Sequence, residues 1–184
     1  MRVERKIFLN LFVILSVVLL VSPFLSAFFD FFTKIIMSIG LYKALQEFVV
    51  PYELRIVSFL VNLAGIEVQS GKAYISLLIG GKPDVIYLIW NCIGWQSAVL
   101  FLVTLATGLS GRFHLSSKLE ALAIGILGTY LVNIFRLVIV VIFYSLAGRP
   151  AGIVFHDYFS NLLIFAWLFF FWWFSYSFVL EERG

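Results

Sequence analysis

Apolar residues dominate the chain in long runs that are broken only by short polar or glycine-containing stretches. Several of these runs approach or exceed the length of about 20 residues that a helix needs to cross a bilayer. They predict membrane-spanning helices at about residues 7–29, 91–108, 117–147 and 155–180. The first run is longer than the core of a signal peptide and lacks a good cleavage site, so we expect an uncleaved helix.

Between the first two predicted spans the pattern changes twice. Residues 35–65 are apolar but carry charges that recur on one side of a helical wheel, which predicts two interfacial amphipathic helices or a shallow re-entrant pair. Residues 66–90 hold short β-branched and aromatic runs separated by Ser70-Gly71-Lys72 and Gly80-Gly81-Lys82-Pro83-Asp84, which predicts a β-meander. Open strands are excluded from lipid, so we expect the meander at the outer surface or against helices.

The composition supports a membrane protein and excludes a soluble domain. Of the 184 residues, 62% are hydrophobic and only 12% are charged, which is far from the balance of soluble domains. We predict a single domain over residues 1–184, an all-α integral membrane protein whose polytopic helical bundle carries a small extracytoplasmic β-meander before the second span. The net charge of +3 is spread over short flanks and loops, so we expect a lipid bilayer and no nucleic acid as partner.

Basic residues set the expected orientation. Arg2, Arg5 and Lys6 precede the first span, and Arg112 and Lys118 lie in the short loop between the second and third spans. Cytoplasmic flanks of membrane helices are enriched in Lys and Arg. We therefore expect a multi-pass protein of the cell membrane with both termini in the cytoplasm, whose second and fourth spans begin at the outer face.

Arg136 lies inside the apolar run 132–142, where a guanidinium in hydrocarbon costs about 3 kcal/mol and usually has a polar partner and a task. The only cysteine, Cys92, and one of the two histidines, His156, each stand at the start of another predicted span. The predicted topology brings all three to the outer leaflet. A thiol near a helix start and a cation favours the thiolate, a histidine shuttles protons, and an arginine holds an oxyanion.

Each member of this trio also has an ordinary structural interpretation. Cys92 alone would most often be a small buried hydrophobe, and His156 fits an interfacial hydrogen-bonding residue. Arg136 could pair with Asp157 or with backbone carbonyls. The two histidines, His114 and His156, fall on opposite sides of the membrane in the predicted topology, so we expect no metal site and no cofactor.

Three motifs in order resemble those of the exosortase/archaeosortase family, in a region from about Tyr74 to Phe174. They correspond to the family's Cys, Asn-x-x-Arg and His motifs, and each is placed on the outer half of a predicted span. In this sequence they read Asn91-Cys92-Ile93-Gly94-Trp95-Gln96-Ser97, Leu131-Val132-Asn133-Ile134-Phe135-Arg136-Leu137 and Val154-Phe155-His156-Asp157-Tyr158.

The resemblance implies a multi-pass cysteine transpeptidase, a peptidase similar in chemistry to sortases but unrelated in fold. Its partners would be membrane protein substrates with a C-terminal signal of short motif, transmembrane helix and basic cluster. Cys92 would be the nucleophile, Arg136 the electrostatic stabiliser and His156 the acid/base. Residues placed near the same helices, which could shape the pocket or bind substrate, are Trp95, Gln96 and Asn133.

Two other classes share features with this sequence, namely membrane phosphatases and non-enzymatic membrane proteins. A membrane phosphatase of the phosphatidic-acid type would need a final His-x-x-x-Asp motif, and Ser160 stands where that aspartate belongs. A non-enzymatic membrane subunit or a small-solute transporter would use Arg136 to bind an anion or a partner helix. Thiol dependence separates these classes, because a transporter or scaffold should tolerate Cys92→Ala and a transpeptidase should not.

Overall fold

A computed structural model describes Ala27 and residues 29–79, 82–156 and 160–182. The chain divides into two compact units, Met1–Tyr42 and Lys43–Gly184. The predicted first span, residues 7–29, lies almost wholly outside the described residues. The predicted turn at Gly80-Gly81 and the possible arginine partner Asp157 also lie outside them.

In the first unit, the described residues form helix α1 over residues 29–38. The chain then turns at Gly40, whose φ of 71° lies in the left-handed region where a side chain is disfavoured. The short helix α2, Leu41–Ala44, follows directly and carries the chain toward the second unit.

The second unit is mostly helical, with one small sheet inserted before its longest helices. Its regular elements before the sheet are a π-helical turn at Leu45–Val49 and helix α3 at Val50–Leu63. After the sheet come a 3-10 turn at Trp90–Cys92, α4 at Trp95–Gly108, α5 at Leu115–Val154, α6 at Ser160–Phe174 and a second π-helical turn at Ser175–Val179.

Two helical stretches within the described residues are long and apolar enough to cross a membrane, namely Leu115–Val154 and Leu162–Val179. Helix α4 is apolar but has only 14 residues. The 40 residues of α5 would reach about 60 Å as one straight helix, but its backbone departs from helical geometry at Gly148, where φ is 79° and ψ is 179°. This break falls where the sequence predicts the third span to stop.

The predicted meander is confirmed as a three-stranded antiparallel sheet in the order β1-β2-β3, with β1 at Val68–Ser70, β2 at Tyr74–Ile79 and β3 at Lys82–Tyr87. β3 starts earlier than the sequence pattern indicates and includes Pro83, which we expected in the turn. Proline is tolerated there because β3 is an edge strand. The side chain of Asn62 bonds both backbone groups of Val68 and so ties the sheet to α3.

An apolar cluster lies between α4 and α6, where Phe101 and Phe171 pack edge to face with ring centroids 5.1 Å apart. Gly125 of α5 permits this contact, since a Cβ there would lie 2.1 Å from the ring of Phe101. Trp167 of α6 donates a hydrogen bond to Thr129 of α5 at 3.0 Å. These contacts fix α5 against α4 and α6 and so hold its inward face, which carries Arg136.

Candidate active site

Cys92 lies in the 3-10 turn that joins β3 to α4. Two hydrogen bonds hold this turn: the Trp90 N–H donates to Oε1 of Gln46 at 2.7 Å, and the Cys92 N–H donates to the Ile89 carbonyl at 2.8 Å. Helix α4 begins only at Trp95, after Gly94. The thiol therefore precedes the helix instead of opening it, and the helix dipole acts on it less than the sequence suggests.

The structure brings Cys92 together with His156, at a distance of 3.6 Å between Sγ and Nε2. Their separation of 64 positions is closed by α4 and α5, which run between them in the chain. The break at Gly148 turns the last part of α5, and His156 follows directly after its end. A thiol and an imidazole at this distance exchange a proton readily.

Arg136, on α5, is only 4% exposed. Its Nη2 donates a hydrogen bond of 2.6 Å to the backbone carbonyl of Cys92. The sequence left two partners open for Arg136, namely Asp157 or a backbone carbonyl, and this contact is with a backbone carbonyl. Its buried Nε has no hydrogen-bond partner among the described residues. The guanidinium thus fixes the backbone of the cysteine and brings a positive charge close to the thiol.

The surroundings of the Cys92 thiol change its pKa in opposite directions. Burial raises the pKa, whereas the hydrogen bond to His156, the charge of His156, the backbone bond to Ile89 and the charge of Arg136 lower it. The lowering effects are larger together, so the pKa of Cys92 lies below its ordinary value. Because the thiolate is the nucleophilic form, this environment favours reaction over inert burial.

We expect the alkylation rate of Cys92 by iodoacetamide to reach half of its maximum at a pH below about 8.5, the ordinary thiol value. In His156→Ala the midpoint should move upward, since the hydrogen bond and charge that favour the thiolate are lost. Mass spectrometry of the intact protein measures the rate cleanly because Cys92 is the only cysteine. Equal midpoints in the two proteins would show that the histidine does not activate the thiol.

Glu53 is a site residue that the sequence analysis did not single out. It is 2% exposed on the face of α3 that packs toward α5. Nδ2 of Asn133 donates a hydrogen bond to its Oε2 at 3.4 Å, and Asn133 stands one turn before Arg136 on α5. An acidic residue in an apolar stretch was the available signal. The sequence did not tell which helix faces it, so its link to Arg136 was not apparent.

Burial raises the pKa of Glu53 to about 7, although Arg136 and Asn133 act in the lowering direction. A carboxyl whose pKa is higher in the folded state stabilises the fold at low pH and loses that contribution as the pH rises toward 7. We expect Glu53→Gln and the wild type to have similar thermal stability in detergent at pH 5. At pH 8 the variant should be more stable by about 1–3 kcal/mol. An equal difference at both pH values would contradict a titrating Glu53.

Trp95 and Gln96, predicted to shape the pocket, lie in the first turn of α4. Trp95 is 7% exposed and stacks on Trp90 with ring centroids 5.8 Å apart. Gln96 is half-buried. The stack joins the cysteine turn to α4, so Trp95 contributes to the site by holding its framework.

A cavity of about 390 Å³ contains both Cys92 and His156. Its walls are largely apolar: the end of β3 and the following residues form one side, and α5 forms the other with residues that include Leu137, Val141 and Gly152. Trp95, Gln96 and Asn133 are not among the described residues that line it. A second cavity, of about 440 Å³, lies beside β1 and β2 and is lined by neither Cys92 nor His156.

Gly94 links the cysteine turn to α4 with a φ of 76°, and a Cβ there would lie 2.5 Å from Cγ of the buried Asn133. Gly65 has a similar φ of 86°, but nothing lies within 4 Å of its Cβ position. Both Gly→Ala variants should lose about 1–2 kcal/mol from the left-handed backbone alone. We expect Gly94→Ala to lose at least about 1 kcal/mol more by thermal unfolding, because Asn133 must move. Equal losses would mean that the Gly94–Asn133 contact is loose.

No group of three or more His, Cys, Asp or Glu side chains that could hold a metal ion occurs within the described ranges. Comparison with protein-family models, with curated proteins and with solved structures finds no match to the chain.

Proposed function

We propose that the protein is a membrane cysteine transpeptidase of the exosortase/archaeosortase type. It would cleave the C-terminal sorting signal of surface proteins at the outer membrane face and transfer them to an acceptor. The observation that carries the proposal is the thiol of Cys92 lying 3.6 Å from His156 while Arg136 binds the carbonyl of the same cysteine. A catalytic role requires Cys92, His156 and Arg136 to lie close together. The structural interpretation of each residue alone does not require contact with the other two.

The first half of the reaction forms a thioester. The Cys92 thiolate attacks a backbone carbonyl of the substrate, a C–S bond forms, and the carbonyl oxygen becomes an oxyanion. The charge of Arg136 would stabilise it through space, because the guanidinium itself bonds the Cys92 carbonyl and is not among the described residues that line the cavity. When the tetrahedral intermediate collapses, the C–N bond breaks and His156 gives its proton to the leaving amine. The leaving segment carries the substrate's transmembrane helix away.

The second half releases the acylated surface protein. An acceptor amine, or water, attacks the thioester carbonyl while His156 takes its proton. The C–S bond then breaks and the Cys92 thiolate returns. The apolar walls of the 390 Å³ cavity favour an organic acceptor over bulk water.

The proposed enzyme is multi-pass, with both termini in the cytoplasm and the site facing outside. The two stretches of membrane-spanning length support membrane association, and the proposed orientation rests on the positions of the basic residues in the sequence. The transporter alternative needs a guanidinium open to solute. Arg136 is 4% exposed and already bonded to Cys92, so no observation favours that alternative.

The test is co-expression with a membrane protein whose C-terminus has a short motif, a transmembrane helix and a basic cluster. Loss of the substrate's C-terminal segment on a gel, together with a hydroxylamine-sensitive adduct on Cys92, would support the thioester mechanism. The proposal is wrong if a set of such substrates stays full-length although the Cys92 thiol of the co-expressed protein is unmodified. It is also wrong if the substrates are cut without any adduct at Cys92.

A further inference from the structure

The outer edge of β3 has no neighbouring strand in the sheet. β3 pairs with β2 in antiparallel register, with Tyr87 opposite Tyr74 and Val85 opposite Ser76. The Leu88 N–H donates to the Ala73 carbonyl at 2.9 Å. Since bonded and non-bonded pairs alternate in an antiparallel ladder, the even-numbered residues of β3 face β2. The odd-numbered residues from 83 to 89 therefore turn their backbone N–H and C=O groups away from the sheet.

The first half of this edge is closed to a further strand. Pro83 has no N–H, and the outward N–H of Val85 donates to Oδ1 of Asp84 at 2.8 Å. Asp84 is itself held by the Tyr144 hydroxyl, which donates to Oδ2 at 2.9 Å. A proline and a charged side chain are the usual means by which proteins prevent strand addition at an edge.

The second half of the edge is open. Within the described residues, the backbone N–H and C=O of Tyr87 and the N–H of Ile89 have no hydrogen-bond partner. The carbonyl of Ile89 accepts the N–H of Cys92, so the open edge leads directly to the nucleophile. Both Tyr87 and Ile89 line the same cavity as Cys92 and His156.

We propose that the substrate binds as an extended polypeptide that adds to this open edge, pairing its backbone with Tyr87 and Ile89. The inference rests on the proposed transpeptidase function and specifies how its substrate is held. Strand addition uses main-chain hydrogen bonds for affinity and pockets for alternate side chains. Here the main-chain hydrogen bonds would form with the three free backbone groups of the edge. The pocket for a substrate side chain would be formed by the apolar residues of α5.

The position of Cys92 fixes the direction of the bound strand. The cysteine follows β3 at its carboxyl end, and the acyl part of a substrate ends at the scissile carbonyl. The acyl segment therefore runs parallel to β3, with its amino end toward the closed half. An apolar side chain close to the scissile bond faces Leu137, Val140 and Val141 of α5.

The test measures alkylation of Cys92 in the full-length protein by peptide chloromethyl ketones. The probe is acetyl-Ala-Ala-Ala-Leu chloromethyl ketone, and its counterparts carry one backbone ester in place of successive amides. Chloroacetone is the comparator, because it has the same electrophile and no peptide backbone. In each case the thiolate displaces chloride and forms a thioether, so the ratio of peptide rate to chloroacetone rate measures recognition alone.

We expect the peptide to react much faster than chloroacetone. The ester that removes the N–H facing the Tyr87 carbonyl should slow it about fivefold to tenfold, and esters at the two neighbouring positions should not, since only every second N–H faces β3. In Tyr87→Pro, which removes the Tyr87 N–H that would donate to the substrate, the ratio of peptide rate to chloroacetone rate measured on that variant should fall. Val85→Pro is the matched control, because it removes an outward N–H that Asp84 already occupies, and it should retain the wild-type ratio.

Two results would overturn the strand-addition proposal: a peptide rate no higher than the chloroacetone rate, or an ester effect without alternation. Either result leaves the reactive thiol, and with it the transpeptidase proposal, standing. An unreactive Cys92 toward chloroacetone at pH 8 would instead remove the transpeptidase proposal itself. The two failures are therefore distinguishable in one experiment.

Discussion

Replacing Cys92 by alanine is expected to abolish processing of a co-expressed substrate, with a loss of at least about 10⁴-fold. The side chain supplies the only thiol in the chain, and no other nucleophile is available to form the thioester. Cys92→Ser should be nearly as inactive, because a serine hydroxyl has a far higher pKa and His156 is positioned for a thiol. Substrate length on a gel measures both variants.

The matched control for Cys92→Ala is Ser97→Ala, which also truncates a small buried side chain, 4% exposed, in the first turn of α4. It should express and process as the wild type does. If Cys92→Ala processed the substrate as well as Ser97→Ala, the thiol would have no part in the chemistry. That result would favour the alternative in which Arg136 serves a transporter or a scaffold.

Arg136→Ala should lower processing about 10²–10³-fold, the range typical for loss of an electrostatic donor at a developing oxyanion. It should also raise the pKa of Cys92, since a nearby positive charge is lost. Arg136→Lys keeps the charge but lacks the planar donor group that reaches the Cys92 carbonyl. We therefore expect Arg136→Lys to retain most of the thiol pKa shift and to regain little of the activity.

Folding must be separated from catalysis in these variants, because a truncated Arg136 leaves Glu53 buried without a nearby cation. Loss of the Arg136 charge removes an interaction that favours the ionised Glu53, so the single variant should be less stable at neutral pH, whereas neutralising both buried groups together is often neutral for stability. The double variant Arg136→Met with Glu53→Gln should unfold near the wild-type temperature and remain inactive. A double variant with wild-type processing would contradict a catalytic role for Arg136.

The helical class and the sheet could be predicted from sequence because their patterns are local. The β-branched runs at residues 66–90 are bounded by turn residues, and the meander they predict is present. Bounds were harder to predict: Pro83 was assigned to a turn, and only the pairing of β3 at the sheet edge explains why it is tolerated. The first predicted span lies almost wholly outside the described residues and stays a prediction.

The trio of Cys92, Arg136 and His156 could be proposed from their positions in the outer halves of predicted spans. Their mutual contacts could not, since the Cys92–His156 distance depends on the break at Gly148 and on the turn before α4. Glu53 was missed because a single carboxylate in an apolar segment does not reveal which helix packs against it. The roles of Trp95, Gln96 and Asn133 in substrate binding remain predictions.

The contact between Cys92 and His156, next to the buried Arg136, has a consequence for the whole reaction cycle. Arg136 keeps its charge throughout, and the Cys92 thiolate with a protonated His156 sums to zero. The thioester stage is neutral at both Cys92 and His156, since the imidazole has given its proton to the leaving amine. In the proposed cycle, the resting and acyl stages thus bury the same net charge. The site can exchange substrate and acceptor without a new desolvation penalty for an isolated ion, a penalty that amounts to several kcal/mol.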